Sequence, residues 1–211
     1  KTVREPLKLA GSMAIVYHVI SSVKRLHDLG VVHCDVKAEN FMVTEGGSRF
    51  PQAKMIDFEC AEEIGSLNMR LCGTRAYQHP DIDIEKCPPE ADIFALGVTV
   101  HLILHRTSIL GPPEGGQLLR DYSQDRGRFD WARNMYAVAN KALGPHEGNG
   151  FLKALASRLY GVIKALFSGH QSALQDAALE ARSIAEDAAD FAKRAVGAGG
   201  GGIRGMDWSV E

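Results

Sequence analysis

One short polar segment carries side chains that could do chemistry together. Asp35, Lys37 and Asn40 lie at positions n, n+2 and n+5, and a second carboxylate, Asp57, follows a β-like run. Carboxylate and amide oxygens are hard ligands that suit Mg²⁺, and a carboxylate can also accept a proton. An isolated loop aspartate is more often a cap or turn residue, so the hypothesis depends on what positions these four side chains.

The surrounding pattern predicts a helix before the polar segment and a hairpin after it. Apolar residues recur at three- and four-residue spacing over 12–29, with Ser12 as the predicted N-cap and Gly30 as the residue that ends the helix. Two β-like runs, Phe41–Thr44 and Ala53–Ile56, are separated by glycine and proline turn signals and predict a small hairpin. The second carboxylate is therefore expected directly after the hairpin.

Further helices are predicted downstream. A strongly apolar stretch from Ala91 to Leu104 predicts a helix buried on all sides. Weaker patterns predict helices over 129–143, 151–167 and 172–195. Glycines at 197, 199 and 202 satisfy GxGxxG, but they follow a helix rather than a strand, so we interpret 197–211 as a flexible tail. The predicted fold class is mainly α with one small hairpin.

Composition excludes several classes of function. The 211 residues include 24 Lys+Arg and 26 Asp+Glu, a net charge of −2, so no nucleic acid or anionic membrane is expected as the main partner. No apolar run is long enough to span a bilayer. The four cysteines form no CxxC pair and are interpreted as free thiols rather than zinc ligands, although an even count leaves disulfides open.

Four motifs, in one order, resemble those of eukaryotic-type protein kinases. The segment VVHCDVKAEN at 31–40 resembles the catalytic loop, and IDFE at 56–59 resembles the metal-binding motif. The segment GTRAYQHPD at 73–81 resembles the end of an activation segment, and 92–97 resembles the buried helix that follows it. The lysine after the catalytic aspartate is typical of serine/threonine kinases.

The resemblance covers part of a kinase. It is clear over 12–105 and extends over 1–167 by helix count, with 168–196 as a C-terminal helix that could be the last helix of the lobe. Neither a Gly-rich loop nor a Val-Ala-Ile-Lys strand precedes His33, so the N-terminal β-lobe is expected to be missing. The chain is thus interpreted as the large, C-terminal lobe of a kinase, a fragment inactive alone.

The resemblance implies a role for each polar residue. Asp35 would be the catalytic base that holds the substrate hydroxyl, and Lys37 would contact the transferring phosphate of ATP. Asn40 and Asp57 would bind Mg²⁺, and Thr74 would shape the site for the substrate. The implied activity is ATP-dependent phosphoryl transfer to hydroxyl groups of a protein substrate.

The same resemblance implies structural support for the loop. His33 would pack beneath the loop, and Asp92 would brace its backbone. Asp81 would form a salt bridge to a later arginine, for which Arg158 and Arg182 are the candidates.

Two substitutions keep a second interpretation open. Cys34 stands where kinases usually have an arginine that pairs with an activation-loop phosphate, and Glu59 replaces the glycine of the metal-binding motif. With the missing lobe, these departures motivate the alternative of a pseudokinase or docking module. A small-molecule phosphotransferase of the aminoglycoside kinase kind shares the Asp, Asn and Asp pattern but is disfavoured by the segment at 73–81. The departures also resemble divergent secreted rhoptry kinases of apicomplexan parasites, so the compartment stays open.

Overall fold

The described part of the chain is mainly helical. The computed structural model describes residues 4–44, 50–66, 72–79, 81–82, 87–106 and 150–197. These contain four α-helices and two pairs of short antiparallel strands. The helix predicted over 129–143 and the tail after Gly197 lie outside the described residues.

The first helix, α1, is longer than its periodicity predicts. It spans Arg4–Asp28, so Ser12 is not its N-cap but an internal residue that is buried. Pro6 is compatible with this earlier start because a proline in the first turn lacks an N–H that would be unpaired there anyway. The predicted end is confirmed, since Gly30 has a φ of +77° and its N–H donates to the His27 carbonyl at 2.9 Å.

Two small sheets flank the polar segment. Strands β2 (Phe41–Thr44) and β3 (Gln52–Met55) form the predicted antiparallel hairpin, with Phe41 opposite Met55. The pairing of β1 (Val31–Val32) with β4 (Glu62–Glu63) has no counterpart in the sequence prediction because two residues show no periodicity. Together the sheets fix both ends of the polar segment.

Three helices complete the described core. The apolar helix α2 spans Pro89–Arg106 and is buried on all sides over most of its length, as predicted. Helix α3 spans Gly150–Phe167 and helix α4 spans Ala173–Gly197, each close to its predicted bounds. Gly97 of α2 faces the Phe167 ring so closely that an added Cβ would lie 3.1 Å from it.

Helix α4 packs along α1 through small side chains. Its buried residues on this face are largely alanines: Ala177, Ala178, Ala181, Ala185, Ala188, Ala189 and Ala192. No membrane-spanning helix is found: within the described ranges, none combines the necessary length and apolarity.

Charged residues fasten α3 to α4 and overturn one prediction. Arg158 pairs with Glu180 and Asp187, each at 2.6 Å, and Arg182 pairs with Glu186 within α4. Neither arginine is therefore the predicted partner of Asp81. Which acidic residues pair with Arg158 depends on how α3 packs against α4, and the sequence does not reveal that packing.

The cysteines are paired, which corrects their interpretation as free thiols. Cys34 is bonded to Cys87 and Cys60 to Cys72, with a Cα–Cα distance of 5.7 Å in each pair. The fold brings the polar segment against the residues that precede α2, and spacing in the sequence carries no signal of that approach. The described residues hold no cluster of three or more His, Cys, Asp or Glu that could bind a metal ion.

Candidate active site

The carboxylate of Asp35 is held by donors from two segments. Its Oδ1 accepts hydrogen bonds from the backbone N–H of Thr74 at 2.8 Å and from the Thr74 hydroxyl at 2.7 Å. Its Oδ2 forms a close ion pair with Lys37, whose ammonium also donates to the Thr74 hydroxyl at 3.1 Å. The Asn40 amide nitrogen donates to the Asp35 carbonyl at 2.9 Å. Four of the predicted site residues thus meet around one carboxylate.

This environment keeps Asp35 ionised. Burial of the carboxyl alone would raise its pKa, but hydrogen bonds from Lys37 and Thr74, together with the Lys37 charge, lower the pKa of Asp35 below its ordinary value of about 4. A carboxylate of this kind is a weak base and a strong hydrogen-bond acceptor. It can therefore orient a hydroxyl group before it accepts a proton.

Asp92 braces the backbone of the loop that carries Asp35. It lies in the first turn of α2, is only 1% exposed, and accepts hydrogen bonds from the backbone N–H groups of His33 at 2.7 Å and Cys34 at 2.9 Å. The His27 ring contacts the same carboxylate at 3.0 Å and, through its other nitrogen, Gln171 at 3.1 Å. The predicted partner of the loop is thus joined by two residues, His27 and Gln171, that the motifs did not single out.

His33 lies beneath the loop and is fully buried. Its Nδ1 accepts a hydrogen bond from the Asp35 backbone N–H at 3.3 Å, which assigns the ring proton to Nε2 and directs it to the Ile56 carbonyl at 3.4 Å. The ring also contacts that of Phe58, with the centroids 5.3 Å apart. His33 therefore joins the Asp35 loop to the segment that carries Asp57. Both ring nitrogens are engaged in these backbone contacts, so the residue positions the two segments and does not transfer a proton.

Gly73 allows the two segments around Asp35 to approach. Its φ is +97°, and an added Cβ would lie 2.5 Å from the Cys34 carbonyl oxygen. Both features exclude a side chain, because the left-handed region disfavours L residues and no Cβ tolerates so short a contact. The close approach places Thr74, the next residue, against Asp35.

Asn40 and Asp57 supply oxygen donors near one another. The backbone N–H of Ile56 donates to the Asn40 carbonyl at 2.9 Å, so Asp57 follows a residue bonded to Asn40. The Asn40 amide nitrogen is directed to Asp35, which leaves its amide oxygen as the atom to offer a cation, and the Asp57 side chain is exposed. This donor set fits Mg²⁺, which commonly takes one or two protein oxygens and completes its shell with water and phosphate.

Apolar side chains beside Asp57 are exposed to solvent. Met42 is 54% exposed, Phe58 50% and Ile56 36%, although large apolar residues at the end of a hairpin are commonly buried. A flat apolar ligand or another part of the protein would remove this surface from water.

A polar contact behind the loop was missed by sequence reasoning. Tyr77, a buried residue of the segment at 73–81, donates its hydroxyl hydrogen to Glu39 at 3.1 Å. It thereby links the loop to the segment that carries Thr74. The spacing of the motifs could not reveal this pair, because it depends on how the two segments meet.

An open groove lies in front of Asp35. It is shallow and open to solvent on one side. Its lining includes Asp35, Thr74 and the two residues of the Cys34–Cys87 disulfide. His79, in the same wall, has its pKa lowered by burial, against a smaller opposing effect of Asp81.

Comparison with known proteins identifies the family. A family model for the protein kinase domain matches residues 4–155, and the chain therefore belongs to the protein kinase family. This confirms the membership predicted from the four motifs. The solved ROP18 kinase domain in complex with AMP-PNP and sucrose has a TM-score of 0.52 and 18% identity, covering 89% of this chain and 45% of that chain. At that identity the likeness supports the protein-kinase fold alone.

Several relatives are serine/threonine kinases. The Caenorhabditis elegans serine/threonine-protein kinase dkf-1 is 34% identical over 96 residues, which are 44% of this chain and 13% of that protein. The Drosophila melanogaster cGMP-dependent protein kinase, isozyme 1, is 34% identical over 103 residues, which are 47% of this chain and 13% of that protein. The chain thus spans a small part of the length of these relatives.

Proposed function

We propose that the protein transfers the terminal phosphoryl group of ATP to serine or threonine hydroxyls of a protein substrate, and that this chain provides the large, helical lobe over 1–167. The carboxylate of Asp35, held between Lys37 and Thr74 at the head of an open groove, is the observation that carries the proposal. In this division 168–196 is a helix added to the lobe, and 197–211 is a tail.

Asp35 orients the attacking hydroxyl. The four acceptor sites of the carboxylate are in use, because Oδ1 accepts two hydrogen bonds from Thr74 and Oδ2 accepts one from Lys37 and a long one from Asn40 at 3.4 Å. One donor must therefore leave before a hydroxyl can bind. Lys37 is that donor because its flexible ammonium is drawn to the negative charge of an arriving phosphate. Its departure frees Oδ2, and Thr74 continues to hold Oδ1. Asp35 then accepts the hydroxyl proton as the hydroxyl oxygen bonds to the γ-phosphorus and the bond from that phosphorus to the leaving ADP oxygen breaks.

Asn40 and Asp57 would hold Mg²⁺ through their side-chain oxygens. The bound ion would supply positive charge that neutralises the phosphates. The exposed side chain of Met42 lies on β2, the strand that follows Asn40, and offers an apolar surface for the adenine base. Charge neutralisation and positioning supply most of the catalysis in phosphoryl transfer.

A variant of Asp35 tests the enzyme. We would incubate the full-length gene product with ATP, Mg²⁺ and a generic Ser/Thr-rich protein substrate and measure phosphate transfer. Asp35→Asn is expected to lower the rate by roughly a hundred- to ten-thousandfold, because it removes the hydroxyl acceptor but keeps the shape of the side chain. Asp28→Asn, at an exposed aspartate paired with Lys24, is the matched control and is expected to retain full activity.

A pseudokinase or docking module is the second candidate. Cys34 and Glu59 favour it, since both depart from the usual kinase motifs at positions next to the proposed site. Background transfer that is equal in the wild type and in Asp35→Asn would establish this candidate and reject the enzyme. A rise in melting temperature with ATP and Mg²⁺ would then indicate that nucleotide binding remains.

A further inference from the structure

The Cys34–Cys87 disulfide lies next to the proposed catalytic base. Cys34 directly precedes Asp35 in the chain, and Cys87 lies just before the first turn of α2. The bond therefore joins the loop of Asp35 to the beginning of the buried helix. Both cysteines also line the groove that leads to Asp35.

The backbone at Cys34 needs restraint. Its φ is +61°, in the left-handed region that residues other than glycine rarely adopt. Two anchors hold it there, and both come from the beginning of α2. Asp92 accepts the Cys34 N–H at 2.9 Å, and the disulfide fixes the side chain of the same residue. The Cys34 carbonyl, in turn, is the atom against which Gly73 packs.

We propose that the Cys34–Cys87 disulfide is a positioning element for Asp35, so that its reduction slows phosphoryl transfer without weakening nucleotide binding. This inference rests on the proposed kinase activity. A dithiol reductant supplies two electrons and two protons: the S–S bond breaks, each sulfur becomes a thiol, and the reductant is oxidised to its own disulfide. Of the two anchors of Cys34, only the hydrogen bond to Asp92 then remains.

Steady-state kinetics of the full-length gene product test the proposal. After treatment with dithiothreitol, with free thiols counted to verify reduction, kcat is expected to fall about tenfold or more while KM for ATP changes less than about twofold. The double variant Cys34→Ser/Cys87→Ser is expected to have the lower kcat with or without the dithiol. The matched variant Cys60→Ser/Cys72→Ser is expected to retain the dithiol-dependent loss, because its Cys34–Cys87 bond is intact and can still be reduced. Reoxidation of the wild type is expected to restore kcat.

Two results would overturn the positioning role. One is an unchanged kcat in wild-type protein whose thiols are all free. The other is a dithiol effect that persists in Cys34→Ser/Cys87→Ser and disappears in Cys60→Ser/Cys72→Ser.

Hydrogen exchange separates this inference from the kinase activity itself. The backbone N–H groups of His33 and Cys34 are bonded to Asp92 and are expected to exchange at least about tenfold faster after reduction, as the loop opens more often. Unchanged protection of these amides in reduced protein would reject the proposal. A protein that transfers no phosphate even when oxidised would instead reject the proposed function, and the exchange experiment would still decide whether the disulfide positions the loop.

Discussion

Asp35 and Asp57, the two carboxylates of the proposed site, lie in contrasting surroundings. The Asp35 side is packed: its carboxylate accepts hydrogen bonds from Lys37 and Thr74, and its loop is braced by Asp92. The Asp57 side is open, with an exposed carboxylate next to exposed apolar side chains. The described residues thus enclose one of the two carboxylates and leave the other accessible to solvent.

The largest effect is expected from replacing Asp57, and it distinguishes the proposed Mg²⁺ ligand from the proposed catalytic base Asp35. In the full-length gene product, Asp57→Asn is expected to lower phosphoryl transfer by roughly a thousandfold and to abolish the Mg²⁺-dependent rise in melting temperature with ATP, because it removes a charged Mg²⁺ ligand. Asn also tolerates the φ of +63° at this position, so the backbone is preserved. Asp35→Asn is expected to lose transfer but keep the rise. If both variants keep it, the assignment of Asp57 to Mg²⁺ is wrong.

The next effect tests how far the packed side depends on its brace. Asp92→Ala is expected to lower the free energy of unfolding by about 3 kcal/mol, because two buried backbone N–H groups and His27 lose their acceptor. Chemical denaturation measures this loss. Glu90→Ala is the control, since Glu90 lies in the same first turn but is exposed, and we expect a change of at most about 0.5 kcal/mol. If Asp92→Ala and Glu90→Ala lower the free energy of unfolding equally, the cause is the loss of a negative charge at the beginning of α2 and not the loss of contacts with the loop.

A third experiment separates close approach from backbone conformation. Gly73→Ala introduces a Cβ that clashes with the Cys34 carbonyl, and we expect a loss of about 2 kcal/mol together with reduced transfer. Gly65→Ala has a similar φ of +85° but meets nothing within 4 Å, so only the conformational cost of about 1 kcal/mol is expected, with transfer unchanged. Equal transfer rates in the two variants would contradict the proposed contact between Gly73 and the loop.

The smallest effect is expected on the open side. Met42→Ala is expected to change the free energy of unfolding by about 0.5 kcal/mol or less, because its side chain is already half exposed. Val36→Ala, a truncation of a fully packed side chain in the Asp35 loop, is expected to cost about 2 kcal/mol. A large loss for Met42→Ala would mean that Met42 is buried in the native protein by a covering segment.

The elements that depend on local signals were predictable. The hairpin follows from turn residues between two β-like runs, and Gly30 ends α1 as a left-handed residue must. The residues around Asp35 were found because one short loop and one following segment supply them. The predicted start of α1 was wrong. Serine is a common N-cap residue, so Ser12 was interpreted as the cap, whereas the helix begins at Arg4.

Contacts between distant segments were not predictable. Cys34 and Cys87 are separated by 53 residues, and three connectivities of four cysteines were open. Arg158 had several acidic residues within reach of its helix, and the docking of α3 on α4 selected Glu180 and Asp187. The Tyr77–Glu39 bond likewise exists only once the loop meets the segment that follows Gly73.

Because the buried residues of α4 are mostly alanines, substitutions at these positions are limited by the size of the new side chain and not by its polarity. A serine at such a position adds one oxygen, and its hydroxyl can donate to a carbonyl of its own helix. A leucine adds three carbons, which would overpack the core. Ala181, Ala188 and Ala189, which are all fully buried, are the most restrictive of these positions.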